Sequence, residues 1–185
     1  MRTGTPLELA LLGLLGQEPR SGYDLRKVFT TTPFSHFSDS PGAIYPALRR
    51  LVARKWVSAS APAGGRRRQV FRLTPAGRRA WKGWLRLVPT REEVVWGMDG
   101  LMLRFAFMGE TVPAVYAIRF LEAFLRHVEA HLVELRRFGA LHVPQMTATG
   151  RLAFDAGISS YETSAAWARR SLETLRRGGH KSGQA

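Results

Sequence analysis

Two stretches of this chain carry side chains whose types and spacing suit contact with a polyanion. Ser40-Pro41-Gly42-Ala43-Ile44-Tyr45-Pro46-Ala47-Leu48-Arg49-Arg50-Leu51 reads as a short helix with a polar, arginine-bearing outer face. Gly64-Gly65-Arg66-Arg67-Arg68-Gln69-Val70-Phe71-Arg72-Leu73-Thr74-Pro75-Ala76-Gly77 reads as the basic tip and return strand of a β-hairpin. The helix turns Gly42, Tyr45, Pro46, Arg49 and Arg50 outward. A recognition helix brings its N-terminal residues to base edges or phosphates. Ser40, with Pro41 behind it, and Tyr45 suit a phosphate, as does the helix N-terminus itself. Arg49 suits a phosphate or the O6 and N7 atoms of guanine. Arg66, Arg67 and Arg68 form a tip that fits along phosphates or into a minor groove, and Arg72 continues that face.

The charge distribution agrees with this reading. The 185-residue chain carries a formal net charge of +14. Residues 1–88 hold 16 Lys+Arg against 4 Asp+Glu, whereas residues 89–185 hold 12 against 10. A positive field confined to one half suits a polyanionic partner, because each neutralised phosphate releases counterions. A general abundance of arginine explains the cations but not the scarcity of acids in one half only.

Other chemistry finds little support. The chain has no cysteine, which excludes disulfides and thiolate metal sites. His127 and His131 stand four apart with Glu134 close by, but further ligands are missing, so solvated or packed side chains are expected and no metal. No phosphate-binding glycine loop, HExxH or nucleophile elbow occurs. The expectation is a protein that is not an enzyme and needs no cofactor. No apolar run reaches membrane-span length and the N-terminus lacks the features of a signal peptide, so a cytoplasmic location is expected.

The elements that would position the basic residues can be read from capping and periodicity. Thr5-Pro6-Leu7-Glu8 has the signature of a capped helix start, followed by leucines at core spacing. Residues 16–20 read as a turn. Ser21-Gly22-Tyr23-Asp24 starts a second helix to about Phe29, and a third runs from about Ser40 to Arg54, with Ile44, Leu48 and Leu51 inward. Residues 56–59 and 69–73 alternate as two strands of a hairpin. Thr74-Pro75 then caps a fourth helix to about Val88. Three helices followed by a basic hairpin are the order of a winged helix-turn-helix.

The boundary falls at Pro89, where Thr90 and Glu93 have capping-box spacing. Residues 89–177 read as helical. Ile118, Leu121, Leu125, Val128 and Leu132 alternate spacings of four and three, the pattern of a coiled-coil seam. Ile158, Tyr161, Ala165, Ala168 and Leu172 repeat it with smaller side chains. Both stripes are expected to form a dimer interface. Trp96, Met98, Met102, Phe105 and Trp167 enrich this half in rings and methionine. They suit core packing or an adaptable pocket for a planar or lipophilic effector. Residues 178–185 read as a polar, disordered tail.

The quoted helix, together with Phe71-Arg72-Leu73-Thr74-Pro75-Ala76-Gly77 and Gly22-Tyr23-Asp24-Leu25, resembles the PadR family of bacterial transcriptional regulators. The resemblance covers roughly residues 5–85 and is architectural beyond. It implies a mainly α protein, with an N-terminal winged helix-turn-helix and a helical dimerisation domain as in the larger subfamily. It also implies a homodimeric repressor on a palindromic double-stranded operator, released by a small aromatic or lipophilic effector. By position, Tyr23, Ser40, Tyr45, Pro46 and Arg49 match family residues near DNA. Lys55 departs from the family, which often has glycine at the end of the third helix. Alternatives are a DNA-binding regulator without a ligand, a ligand-sequestering helical protein and an RNA-binding module.

Overall fold

The computed structural model describes residues 4–31, 41–60 and 69–181. They divide into two compact units after Leu85, three residues before the boundary expected from sequence. No helix among the described residues is long and apolar enough to cross a membrane.

The first unit is built around α1 (Pro6–Gln17). Its start is the predicted capping box. The Glu8 N–H donates to Thr5 Oγ1 at 3.3 Å, and the Thr5 N–H donates to Glu8 Oε2 at 3.2 Å. Residues 7–15 are all buried, so α1 is enclosed on every side, as an all-apolar helix must be. The exception to its apolar character is Glu8, which is 0% exposed.

Around α1 stand β1 (Arg20–Ser21), α2 (Gly22–Thr31), α3 (Pro41–Ala53), β2 (Val57–Ala59), β3 (Val70–Leu73) and α4 (Pro75–Leu85). Asp24 N–H donates to Ser21 Oγ at 3.1 Å and Ser21 Oγ donates to Asp24 Oδ2 at 2.6 Å, which fixes the start of α2. Ile44, Ala47, Leu48 and Leu51 form the buried face of α3 against α1. The sheet has the order β1-β3-β2, all antiparallel. Val57 lies opposite Leu73, and Ala59 opposite Phe71.

The third strand corrects the sequence reading, which placed residues 16–20 in a turn. Arg20 pairs with Phe71, and Ser21 with Val70. Two residues are too few to show alternation, so the strand exists only through its partner.

The end of α3 is a Schellman motif. The Lys55 N–H donates to the Val52 carbonyl at 2.8 Å, and the Trp56 N–H to the Leu51 carbonyl at 3.0 Å. Lys55 occupies the left-handed position with φ of 58°. Glycine is the residue that tolerates this conformation. The Thr74 hydroxyl donates to the Lys55 carbonyl at 2.7 Å and accepts from the Gly77 N–H at 3.0 Å. A Cβ at Gly77 would lie 2.0 Å from the Trp56 carbonyl oxygen, so only glycine lets α4 approach there.

The second unit holds α5 (Arg91–Trp96), α6 (Met98–Ala106), α7 (Ala114–His142) and α8 (Ala148–Lys181), with short 3-10 turns at Gly109–Thr111 and Val143–Gln145. Thr90 and Glu93 form the expected capping box. α8 continues to Lys181, where the sequence reading had a disordered tail from residue 178.

α7 and α8 fold back on each other as an antiparallel hairpin. The register is fixed by Arg176–Glu122 and Arg136–Glu162, both 2.7 Å, and by Arg169–Glu129 at 2.5 Å. The stripes expected to form a dimer interface are largely spent inside this one chain. Leu121, Val128, Leu132, Ala165, Ala168 and Leu172 are buried by the hairpin, and Ile118, Leu125, Ile158 and Tyr161 are half-buried. Heptad spacing specifies a helical partner but not whether that partner belongs to the same chain.

The strain at Lys55 is directly testable. Lys55→Gly should raise unfolding stability by about 1 kcal/mol, because glycine adopts the left-handed region without a Cβ clash. Denaturant unfolding with an unchanged m-value would show the gain, and a loss of stability would contradict the cap assignment.

Candidate nucleic-acid interface

α3 is held from behind and exposed in front. Its inner face is apolar, and its outer face carries Gly42, Tyr45 and Arg49, all exposed. Pro46 is half-buried within the helix and removes one intrahelical hydrogen bond. Ser40 and the tip residues Arg66, Arg67 and Arg68 lie outside the described residues, as does the side chain of Pro41.

Tyr45 leans on the start of α2. A Cβ built on Gly22 would come within 2.7 Å of Tyr45 Cε1 and 3.2 Å of its hydroxyl oxygen. Gly22 therefore makes room for the ring, which remains 42% exposed.

Next to this contact α2 presents Tyr23, Arg26, Lys27 and Thr30, which line a cavity of about 210 Å³. Their spacing places all four along one helical face. Tyr23 was expected near DNA, whereas Arg26 and Lys27 were missed. The signal was present in the sequence as two cations one turn after Tyr23, the spacing that shares a face. Tyr23, Tyr45 and Arg49 thus fall on the exposed faces of two helices joined by the Gly22–Tyr45 contact.

Arg50 has a different place from its neighbour. Its Nε donates to Glu8 Oε1 at 2.6 Å, and Arg54 donates through NH1 to Glu8 Oε2 at 3.0 Å. Arg50, expected on the DNA-facing side, is half-exposed and also bonded to an internal carboxylate. One step along a helix rotates the side chain by 100°, so Arg49 and Arg50 point to different surroundings.

The candidate effector residues do not form one group. Phe105 and Trp167 meet edge-on at 5.4 Å, in a cluster with Phe120 and Phe124. The buried Arg104 guanidinium lies 5.4 Å from the Phe120 centroid and donates to Glu93 at 3.1 Å. Met98 and Met102 are half-buried. Trp96 is 85% exposed at the end of α5, so within this chain it neither packs in a core nor lines an enclosed pocket, the two alternatives the sequence left open.

His131 and Glu134 are held by structural partners. The His131 ring stands edge-on to Tyr161 at 4.8 Å, and Glu134 accepts from Arg91. Arg91 first, and His131 second, hold the Glu134 carboxyl below its usual pKa. This contact is therefore retained at neutral pH and weakens as pH falls through that lowered value.

Residues 11–83 match the model of the transcriptional regulator PadR-like family. The first unit is a PadR-like domain. The match spans nearly all of the first unit. It is similar to a PadR-like transcriptional regulator from Bacillus cereus, with 25% identity over 93% of this chain and 99% of that one, at a TM-score of 0.41. It is also similar to Bacillus subtilis PadR solved with operator DNA, at 24% identity, 91% and 98% coverage and a TM-score of 0.42. The same Bacillus protein solved with p-coumaric acid gives 23% identity, 92% and 99% coverage and a TM-score of 0.42. No curated protein matches the chain.

The Gly22–Tyr45 contact separates fold from presentation. Gly22→Ala should keep stability within about 1 kcal/mol, since the half-exposed Tyr45 ring can swing away and alanine favours a helix. Duplex-DNA affinity should nevertheless fall, because the ring leaves its seat. Equal affinity of the variant and the parent in a titration at fixed salt would remove Tyr45 placement from the interface.

Proposed function

We propose that this chain is a homodimeric repressor that reads a palindromic double-stranded operator through the outer face of α3. The observation that carries the reading is the exposed Gly42–Tyr45–Arg49 face, seated against α2 and flanked by Tyr23, Arg26 and Lys27. Arg49 takes a base edge or phosphate, and Tyr45 takes a phosphate through its hydroxyl. Tyr23, Arg26 and Lys27 lie along the backbone, where a helix preceding the recognition helix crosses it. The arginines at 66–68 supply the wing contact. The confinement of positive charge to residues 1–88 supports the same partner.

Arg49→Ala should cost about 1–3 kcal/mol of specific binding if Arg49 reads a guanine. Replacing Arg26 and Lys27 together with alanine should weaken all sequences alike. It should make the slope of log K against log salt shallower by about 0.9 for each phosphate left without its cation. The probe is a duplex selected from a random pool, measured at several salt concentrations. Loss of base preference at an unchanged slope would exclude α2 from the backbone.

The second unit supplies the dimer in this reading. Because the α7–α8 seam is already filled, the partner meets other residues. Val133, Leu141 and Leu152 are 64–69% exposed on these two helices. Val133→Asp with Leu141→Asp should leave the hairpin folded and shift sedimentation from dimer toward monomer. A dimer of undiminished strength would move the interface elsewhere. The half-buried Phe105, Trp167 and Met102 are where a small aromatic or lipophilic effector would insert, releasing DNA by binding the free conformation more tightly.

A further inference from the structure

Glu8 belongs to no motif of the DNA-contacting surface, yet it is the acid that the first unit buries most completely. Its side chain is 1% exposed, while those of Arg50 and Arg54 are 49% and 34% exposed. Glu8 of α1 is 42 residues from Arg50 of α3 and 46 from Arg54, which follows the end of that helix. Oε1 accepts from Arg50 at 2.6 Å, and Oε2 accepts from Arg54 at 3.0 Å and from the Thr5 N–H at 3.2 Å. Both carboxylate oxygens are thus used, and charge-assisted bonds of this kind hold geometry tightly.

The geometry of α3 gives this cluster its consequence. Arg54 follows Arg50 by four residues, and its N–H donates to the Arg50 carbonyl at 3.0 Å, so the two share a face at the end of α3. Pinning both to one buried point fixes the roll of α3 about its own axis, which decides where Tyr45 and Arg49 point. The guanidinium of Arg54 also lies 5.4 Å from the Trp56 ring centroid. Trp56 immediately precedes β2, and its N–H donates to Leu51 of α3. The cluster therefore ties α1, the end of α3 and the start of the hairpin together.

We propose that Glu8 is a positioning residue for DNA recognition, fixing through Arg50 and Arg54 how α3 and the wing are presented to the duplex. The proposal rests on the DNA-binding reading above. It adds a buried carboxylate that never touches DNA but determines specificity.

Glu8→Gln is the test. Glutamine also completes a capping box, so Thr5 keeps its partner. The two arginines lose their anchor but, being partly exposed, can turn to water. Specific affinity should fall about tenfold or more, as expected for losing charge-assisted bonds that hold the helix. Non-specific affinity should be unchanged or higher, and the salt slope steeper, because two guanidiniums are no longer neutralised. Measurements are made well below the melting temperature of each protein. A merely structural role would lower both affinities together or neither, and either result overturns the proposal.

Arg54→Met supplies a second route should Glu8→Gln fail to fold. It keeps the apolar stem and the Glu8–Arg50 pair. Specific affinity should fall with the salt slope unchanged. A slope shallower by about 0.9 would mean that Arg54 itself contacts a phosphate, contrary to the proposal. If the parent protein binds no duplex at all, the DNA-binding reading fails first. If the parent binds but Glu8→Gln keeps its specificity, only the role of Glu8 fails.

Discussion

A carboxylate inside an otherwise apolar helix cannot remain charged without partners. That constraint organises the first unit. α1 is enclosed on all sides and carries Glu8 near the start of its buried run. The partners have to come from an element packed on α1, and they are Arg50 of α3 and Arg54 just past its end. Once those two side chains are used, Arg49 is left facing outward by helical geometry alone. Adjacent arginines that look equivalent in sequence therefore do different work. Arg50, half-exposed, satisfies the buried carboxylate, and Arg49 remains with the exposed face. The asymmetry of the pair follows from burial. The arginines can reach water if the acid is removed, whereas the acid has nowhere to go if both arginines are removed.

The second unit solves a related problem by different means. Two long amphipathic helices must hide their apolar stripes, and here they hide them in each other. Cross-helix ion pairs at 122–176, 129–169 and 136–162 hold one antiparallel register. These exposed pairs contribute little energy individually, but they penalise a slipped register. Gly139 allows close approach at one crossing, where a Cβ would sit 2.7 Å from the Phe154 ring. Small residues on α8 were legible as a sign of close helix approach. The approaching helix is the chain's own α7, which leaves the outward apolar residues for any second copy.

Local signals were legible in the sequence, and distant pairings were not. Both capping boxes, at Thr5–Glu8 and Thr90–Glu93, lie within four residues and formed as expected. The helices and hairpin strands of the first unit follow from period and turn chemistry, with ends shifted by one to three residues. β1 was invisible because Arg20 and Ser21 acquire strand geometry only from β3, fifty residues later. The Glu8–Arg50 pair spans 42 residues, and Glu8 already had a sufficient local explanation as a cap. That explanation was correct but incomplete, since a carboxylate with two oxygens can serve a cap and an ion pair together. Of the candidate site, the outer face of α3 was readable from periodicity. The Glu8 partner of Arg50 was not readable, because helical spacing cannot say which boundary residue finds a buried partner.

The junction between α3 and the hairpin shows how these constraints meet. Only Arg54, Lys55 and Trp56 separate the helix from β2. Arg54 is drawn toward Glu8 and stacks over Trp56. Lys55 takes a left-handed turn that a side chain resists. Trp56 is fixed on both sides, its N–H by Leu51 and its carbonyl by Thr74, whose N–H donates at 3.0 Å. Gly77 must lack a Cβ for that carbonyl to fit. The strain at Lys55 is thus over-determined by its neighbours, the condition under which an unfavourable backbone conformation persists. A connection so short and so fully bonded leaves the hairpin little freedom relative to α3. In the proposed DNA-binding reading α3 and the β2–β3 ladder act as one pre-set surface, and ordering that surface costs less at the moment of binding.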